Sequence, residues 1–448
     1  MKKFIALIMS ILMLALTGCK ADQKDIPSDP ETAEPLRVFI DVEFGSRVFT
    51  SAATAMKEYK ELSSKGNTVR YASFQDVIAE LGGPEDIQLE FAPRSGEERD
   101  AYLTALRTEM MAGKGPDVFI CLSGQGWCWE QSSGSGHFED ALFQFPQQAM
   151  ERNMFLPLDN YIAKAQFMEW DKLTPTIMDA GKNEHGQLLL PMTYTIPVAY
   201  FKEEDVEFRL DTGLTWKDML SGPPELTASA ASSHMSLQST ALAPLADYGN
   251  DKLAITEEEL LEYITLRMDA EKHLETVELP KRTTQSLKPA IWFDDEYGRE
   301  NELVLIPVYS RGGGYTAIAT SFLGINVNTK RPDDAFFVAD YLMSKEAQQS
   351  KLYAYMTWDS ALPTMEGLMA GRGWGVSDGM GGAVYMSENL YEKFVELREG
   401  ISVTNFQTSL EKELYDLYGE AAYGESGKPV KDLVHESYMR MNMMLAES

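Results

Sequence analysis

The stretch from Leu36 to Leu122 constrains the fold most, because it switches repeatedly between strand and helix signals. Leu36 to Val42 (LRVFIDV) is dense in branched and aromatic residues and reads as a strand. Ile87 to Phe91 (IQLEF) alternates like a half-buried strand. Between Glu97 and Met111, the apolar residues Leu103, Leu106 and Met110 recur at helical spacing. Gly113 stops that helix, and Gly115-Pro116 turns the chain into a third strand from Asp117 to Leu122. Strands separated by helices predict an α/β fold with a mostly parallel sheet.

The pattern continues downstream. Leu188 to Met192 and Val198 to Phe201 are short apolar runs separated by TYTIP, where the chain passes from one unit to another. Thr215 caps a helix that opens with Trp216, and Thr256 with Glu259 predicts a capping box ahead of Leu260, Ile264 and Met268. Leu303 to Pro307 and Ile318 to Val327 read as buried strands. Asp333 and Asp334 start another helix, and Leu410, Leu414, Leu417, Tyr418 and Ala421 share a helical face near the C-terminus. Gly312-Gly313-Gly314 lacks the lysine, serine and helix of a phosphate loop and reads as a hinge or turn.

At the N-terminus, Lys2 and Lys3 precede an apolar run from Phe4 to Leu16, too short to span a bilayer comfortably. Leu16-Thr17-Gly18-Cys19 resembles the bacterial lipobox, which implies that residues 1–18 are a lipoprotein signal peptide and that Cys19 carries the lipid. Residues 19–35, charged and nearly devoid of apolar side chains, then read as a flexible tether. The implied location is the outer face of the cell membrane.

Composition narrows the partners. With 44% hydrophobic residues the chain can bury large cores, and a net charge of −29 argues against nucleic acid and against docking on anionic lipid through the protein surface. Of three cysteines, Cys121 and Cys128 stand close enough in sequence for a local disulfide, but their glycine-bearing loop leaves the pairing open. None of the five histidines is paired at metal-ligand spacing, so no metal and no cofactor is expected.

Several segments, in order, resemble the family 1 extracellular solute-binding proteins of ABC importers, the maltose-binding-like class. They are MMAGKGPDVFICLS, FLPLDNYI, LLLPMTYTIPVAYFKEEDV, TGLTWKDML, FLGINVNTKRPDDAFFVADYLMSKEAQQSKLY and SALPTMEG. The chain departs from the family pattern at Phe201, where an asparagine is usual, and between Ala228 and Tyr309, where a "G-x-aAM" strand has no clear copy. The resemblance implies a two-lobed periplasmic-binding-protein-like fold of type II, with mixed sheets flanked by helices and a ligand cleft between the lobes. Residues 36–194 and 309–344 would form the first lobe. Residues 195–308 and the helical 345–448 would form the second.

In such folds a ligand meets the loops that follow sheet strands. The ligand-binding candidates are therefore Glu43, Phe44, Gln125, Trp127, Tyr194, Gln238, Trp292, Tyr315, Trp358 and Phe406. Asp41, Arg47, Ser123, Trp129, His234, Asp294, Tyr309, Arg311 and Asn405 stand beside them. Trp127 and Trp129 read as loop-borne and suit stacking on sugar faces, Asp41 and Glu43 read as solvated loop residues, and Trp216 reads as packing.

The implied function is a non-enzymatic, monomeric receptor that delivers a small-molecule solute, a sugar or oligosaccharide, to ABC permease subunits by hinge closure. The alternatives are a surface sensor or adhesion lipoprotein, or a secreted glycan-active enzyme. Neither G-x-S-x-G nor H-E-x-x-H occurs, and Asp294-Asp295, as sequence neighbours, are not the opposed carboxylates that glycoside hydrolysis needs.

Overall fold

The computed structural model describes residues 34–41, 57–63, 66–93, 96–123, 126–130, 135–231, 239–278, 288–289, 303–348, 362–365, 376–377, 383–384 and 388–448. The signal peptide, Cys19 and nearly all of the tether lie outside them. Among the described residues no helix is long and apolar enough to cross a membrane.

The strands that position the site are β1 (Leu36–Asp41), β2 (Ile87–Phe91), β3 (Val118–Leu122), β4 (Leu189–Thr195), β5 (Pro197–Lys202), β6 (Leu303–Pro307), β7 (Tyr315–Ile325), β8 (Leu362–Pro363) and β9 (Ile401–Phe406). The principal helices are α1 (Phe74–Glu80), α2 (Gly96–Met111), α3 (Pro146–Glu151), α4 (Trp216–Leu220), α5 (Pro224–Ala231), α6 (Glu257–Leu274), α7 (Pro332–Leu342), α8 (Leu410–Tyr423) and α9 (Val430–Glu447).

Helix starts follow local chemistry. Ser73 and Asp76 cap α1 reciprocally, as Thr215 and Asp218 cap α4, so orphan amides at each end find partners. Thr256 accepts from the Glu259 amide at the start of α6, where Glu257, Glu258 and Glu259 also oppose the positive end of the helix dipole. Pro332 enters α7 at its first turn, where its missing N–H costs no helical bond.

A seven-stranded mixed sheet organises the first lobe, in the order β8-β4-β7-β3-β1-β2, with β9 beside the first half of β7. β1 runs parallel to β2 and β3, whereas β7 is antiparallel to β3 and β4 and parallel to β9. Because side chains alternate faces, Val38, Ile40, Val118 and Ile120 join one apolar core with Val77 of α1 and Val338 of α7. Phe39 and Phe119 join the core on the other face with Leu103 and Leu106 of α2. That double burial explains why these strands carry nearly continuous apolar runs.

The second lobe is built on a small antiparallel sheet in which β5 lies between β6 and Lys288–Pro289. Trp216, Leu260, Ile264, Leu414 and Val434 pack with Ile306 in its single apolar core. Trp216 is 1% exposed, in keeping with a packing role. Arg267 is also fully buried there, its guanidinium 4.3 Å from the Tyr418 ring and within 3.2 Å of the Tyr263 hydroxyl.

Two sequence expectations differ from the structure, and one question left open is answered. Residues 401–406 form β9 within the large sheet, so the C-terminal region is not confined to second-lobe helices. Cys121 is a free, buried thiol at the centre of that sheet and not half of a disulfide. Trp127 and Trp129 sit on a hairpin strand, Gly126–Glu130, paired with Ser135–Glu139, and not in an open loop. The triple glycine does make a turn: Gly313 and Gly314 have φ of +87° and +66°, which a side chain would strain.

Candidate functional site

Three chain crossings join the two cores. β4 leaves the first core and Ile196 and Val198 enter the second. β7 places Tyr315 and Ala317 in the second core, then Phe322, Leu323 and Ile325 in the first. β9 begins with Ile401 in the second core and ends with Phe406 in the first.

At this level Thr195, Ile318 and Asn405 are register partners on adjacent strands and share one face. One step along each strand, Tyr194, Ala319 and Phe406 form the next row on the opposite face. The aromatic row is closed: Tyr194 is 1% exposed, and Phe406 packs 5.3 Å from Phe322. In the Thr195 row Ile318 and Thr195 are buried and Asn405 is half-buried.

Hydroxyls and amides surround that row. The Thr193 hydroxyl lies 2.8 Å from that of Thr320 and 2.5 Å from that of Ser321. Thr316 donates to the Thr240 carbonyl at 3.1 Å. At the end of β3, the Ser123 hydroxyl donates to the Ala319 carbonyl at 2.5 Å and accepts from the Gln407 amide at 3.2 Å. Among the described residues the buried hydroxyl oxygens of Thr195, Thr240 and Thr404 have no hydrogen-bond partner. A buried hydroxyl normally finds a partner, so three here mark the crossing as unusual.

The charged residues beside the crossing hold the chain in place. Asp41, at the end of β1, is 3% exposed and takes both arms of Arg99, at 2.9 and 2.7 Å. Arg99 also donates to the Pro93 carbonyl at 3.0 Å and to the Asp140 carbonyl at 2.8 Å. Asp41 is thus a buried anchor and not a solvated loop residue. Burial pushes the neighbouring Cys121 thiol well above its usual range, with the Asp41 charge adding to the effect. Among the described residues no group of three or more His, Cys, Asp and Glu side chains could hold a metal.

Other candidates serve the structure. Tyr315 is fully buried, gives its hydroxyl to the Leu397 carbonyl, and is held neutral by desolvation. Tyr309 is fully buried and accepts from the Asp211 amide at 3.2 Å. Arg311 pairs with Glu259 and the Ala254 carbonyl. Glu43, Phe44, Arg47, Gln125, His234, Gln238, Trp292, Asp294 and Trp358 lie outside the described residues, and Trp127 is described in its backbone alone. Thr193, Thr195 and Thr320 are additions that sequence reading missed; Thr193 and Thr195 fall in TYTIP, read only as a connection, and Thr320 in a run read as a buried strand.

No protein-family model matches the chain, and no curated protein matches it either. Solved structures do. A family 1 extracellular solute-binding protein from Alicyclobacillus acidocaldarius superposes with a TM-score of 0.53 at 13% identity, covering 91% of this chain and 97% of that one. The sugar-binding protein MalE from Xanthomonas citri gives 0.52 at 12%, covering 92% and 97%. An ABC substrate-binding protein from Listeria monocytogenes in complex with cycloalternan gives 0.51 at 12%, covering 92% and 98%. Designed esterases are also among the matches. The chain has the two-lobed α/β fold of the family 1 extracellular solute-binding proteins.

Proposed function

We propose that the protein is a lipid-anchored extracytoplasmic receptor that captures a sugar or oligosaccharide and delivers it to an ABC importer. The observation that carries this reading is the set of hydroxyl and amide side chains, Thr193, Thr195, Thr320 and Asn405, on strands that join two separate cores. Hydroxyls and amides both donate and accept, which matches a polyhydroxylated ligand. The sugar-binding structures that share the fold support the same class.

In this reading the lobes divide near residues 194, 308 and 344, with β8 and β9 returning to the first. Hinge motion closes them on the ligand. Glu43, Phe44, Gln125, Trp127, Gln238, Trp292 and Trp358 contact the ligand in this reading, while the buried Tyr194, Tyr315 and Phe406 support the strands that carry it. Cys19 and the tether hold this monomeric receptor beside its permease partners.

Thermal-shift screening of the full-length protein against neutral glycans, peptides and polyamines tests the reading. A ligand at 100 times its dissociation constant adds about 2.7 kcal/mol of stability. A shift with peptides and silence from every glycan would overturn the sugar assignment, and release of shortened glycan would overturn the receptor.

A further inference from the structure

The crossing strands are not the only link between the lobes. Helix α3 belongs to the first lobe through Ala149 and Met150, which pack with Phe39, Phe143 and Phe322. Between those two and Pro146 stands Gln148, whose polar side chain is 2% exposed and faces the second lobe. Its amide nitrogen donates to the Leu445 carbonyl of α9 at 2.7 Å and to the Asp251 carboxylate. Its amide oxygen accepts from the Ser448 hydroxyl at 2.5 Å. One side chain therefore uses both ends on partners from the opposite lobe.

Those partners form a stiff receiver. Asp251 turns the chain between Ala246–Asp247 and Lys252–Leu253 at φ +49°, and Asn442 of α9 accepts from the Leu253 amide at 3.1 Å. Arg152, just after α3, places its guanidinium 3.6 Å from the same Asp251 carboxylate. Phe145, just before α3, lies 6.4 Å from the Tyr248 ring and packs in the second core.

We propose that Gln148 is a latch that sets the resting angle between the lobes. Rotation of one lobe against the other must shear this contact, because α3 moves with the large sheet while Asp251 and Leu445 move with α9. A glutamine that satisfies a carboxylate and a carbonyl at once tolerates little displacement, since each bond weakens steeply with angle and distance. Separation of the latch leaves the Asp251 carboxylate and the Leu445 carbonyl to be hydrated afresh. The latch thus favours one angle and gives way when a stronger interaction draws the lobes to another. This inference rests on the two-lobed fold and does not depend on which ligand is bound.

The test needs no ligand. Nitroxides attached through p-acetylphenylalanine at Met111 of α2, which is 83% exposed, and at Lys272 of α6 report the interlobe distance by double electron–electron resonance in the full-length protein. Wild type should give one narrow distribution. Gln148→Glu sets a carboxylate against Asp251 and should broaden or displace it. Adding Asp251→Asn restores a donor opposite the new acceptor and should narrow it again. Should Gln148→Glu fold poorly, Arg152→Ala perturbs the same carboxylate from the periphery and should broaden the distribution more modestly. A lowered melting temperature with an unchanged distribution in the single variants would show that Gln148 merely packs, and the latch would fall.

Discussion

Replacing Asp41 by asparagine should be among the most damaging conservative changes in the protein. Arg99 has no exposed side-chain surface, and its guanidinium takes the Asp41 carboxylate and donates to the Pro93 and Asp140 carbonyls. Asp41→Asn keeps the shape but takes the Asp41 charge away from a buried guanidinium. Breaking a buried pair from one side costs about 3–5 kcal/mol. Arg99→Met should cost a similar amount, because it strands the carboxylate and frees two carbonyls. The double variant Asp41→Asn with Arg99→Met removes both charges, so its loss should fall well below the sum of the singles. Urea unfolding followed by tryptophan fluorescence gives all four free energies, and the coupling follows from the cycle. Additive losses, or an Asp41→Asn cost below about 1 kcal/mol, would refute the claim that this pair anchors the end of β1.

Other outcomes follow from single features. Thr195→Val removes a buried hydroxyl that has no partner among the described residues, and the ligand-free protein should become about 1 kcal/mol more stable by urea unfolding. A loss of stability would mean the hydroxyl is satisfied in solution. Cys121 should resist iodoacetamide at pH 8 in the folded protein and react once unfolded, as read by peptide mass spectrometry, because burial raises its pKa. Arg37 holds the Glu109 carboxyl below its ordinary value of 4.5, chiefly through their hydrogen bond. The folded value is therefore the lower one. Its contribution is present above about pH 4.5 and is lost as pH falls through the depressed value, so Glu109→Gln should flatten the acid limb of stability against pH.

Much of the fold was legible because local rules and global packing agree. The run VFICL declares β3, and Thr215 and Thr256 declare helix starts, since caps depend only on near neighbours. β9 was not legible. ISVTNF is short and sits between helices, and its partner β7 lies far upstream. The site was less legible still. Aromatic residues suggested sugar stacking, yet Tyr194 and Phe406 are buried on one face, and in the neighbouring row of Thr195, Ile318 and Asn405 it is Asn405 that is partly exposed. A one-residue step decides this, and it depends on pairing between distant strands. The Asp41–Arg99 pair escaped notice for the same reason, as nothing local links a strand end to a helix start 58 positions away.

The continuity of β7 bears on how this molecule could be divided. Its eleven residues lend side chains in turn to all three apolar clusters: Tyr315 and Ala317, then Ala319 and Phe322, then Leu323 and Ile325. Neither lobe can be excised whole, since a cut on either side of the strand opens a core. Leu36–Ser448 accordingly forms one compact unit. Denaturant should melt both lobes in a single transition, and a gene split between them should yield two insoluble halves that regain structure only when mixed.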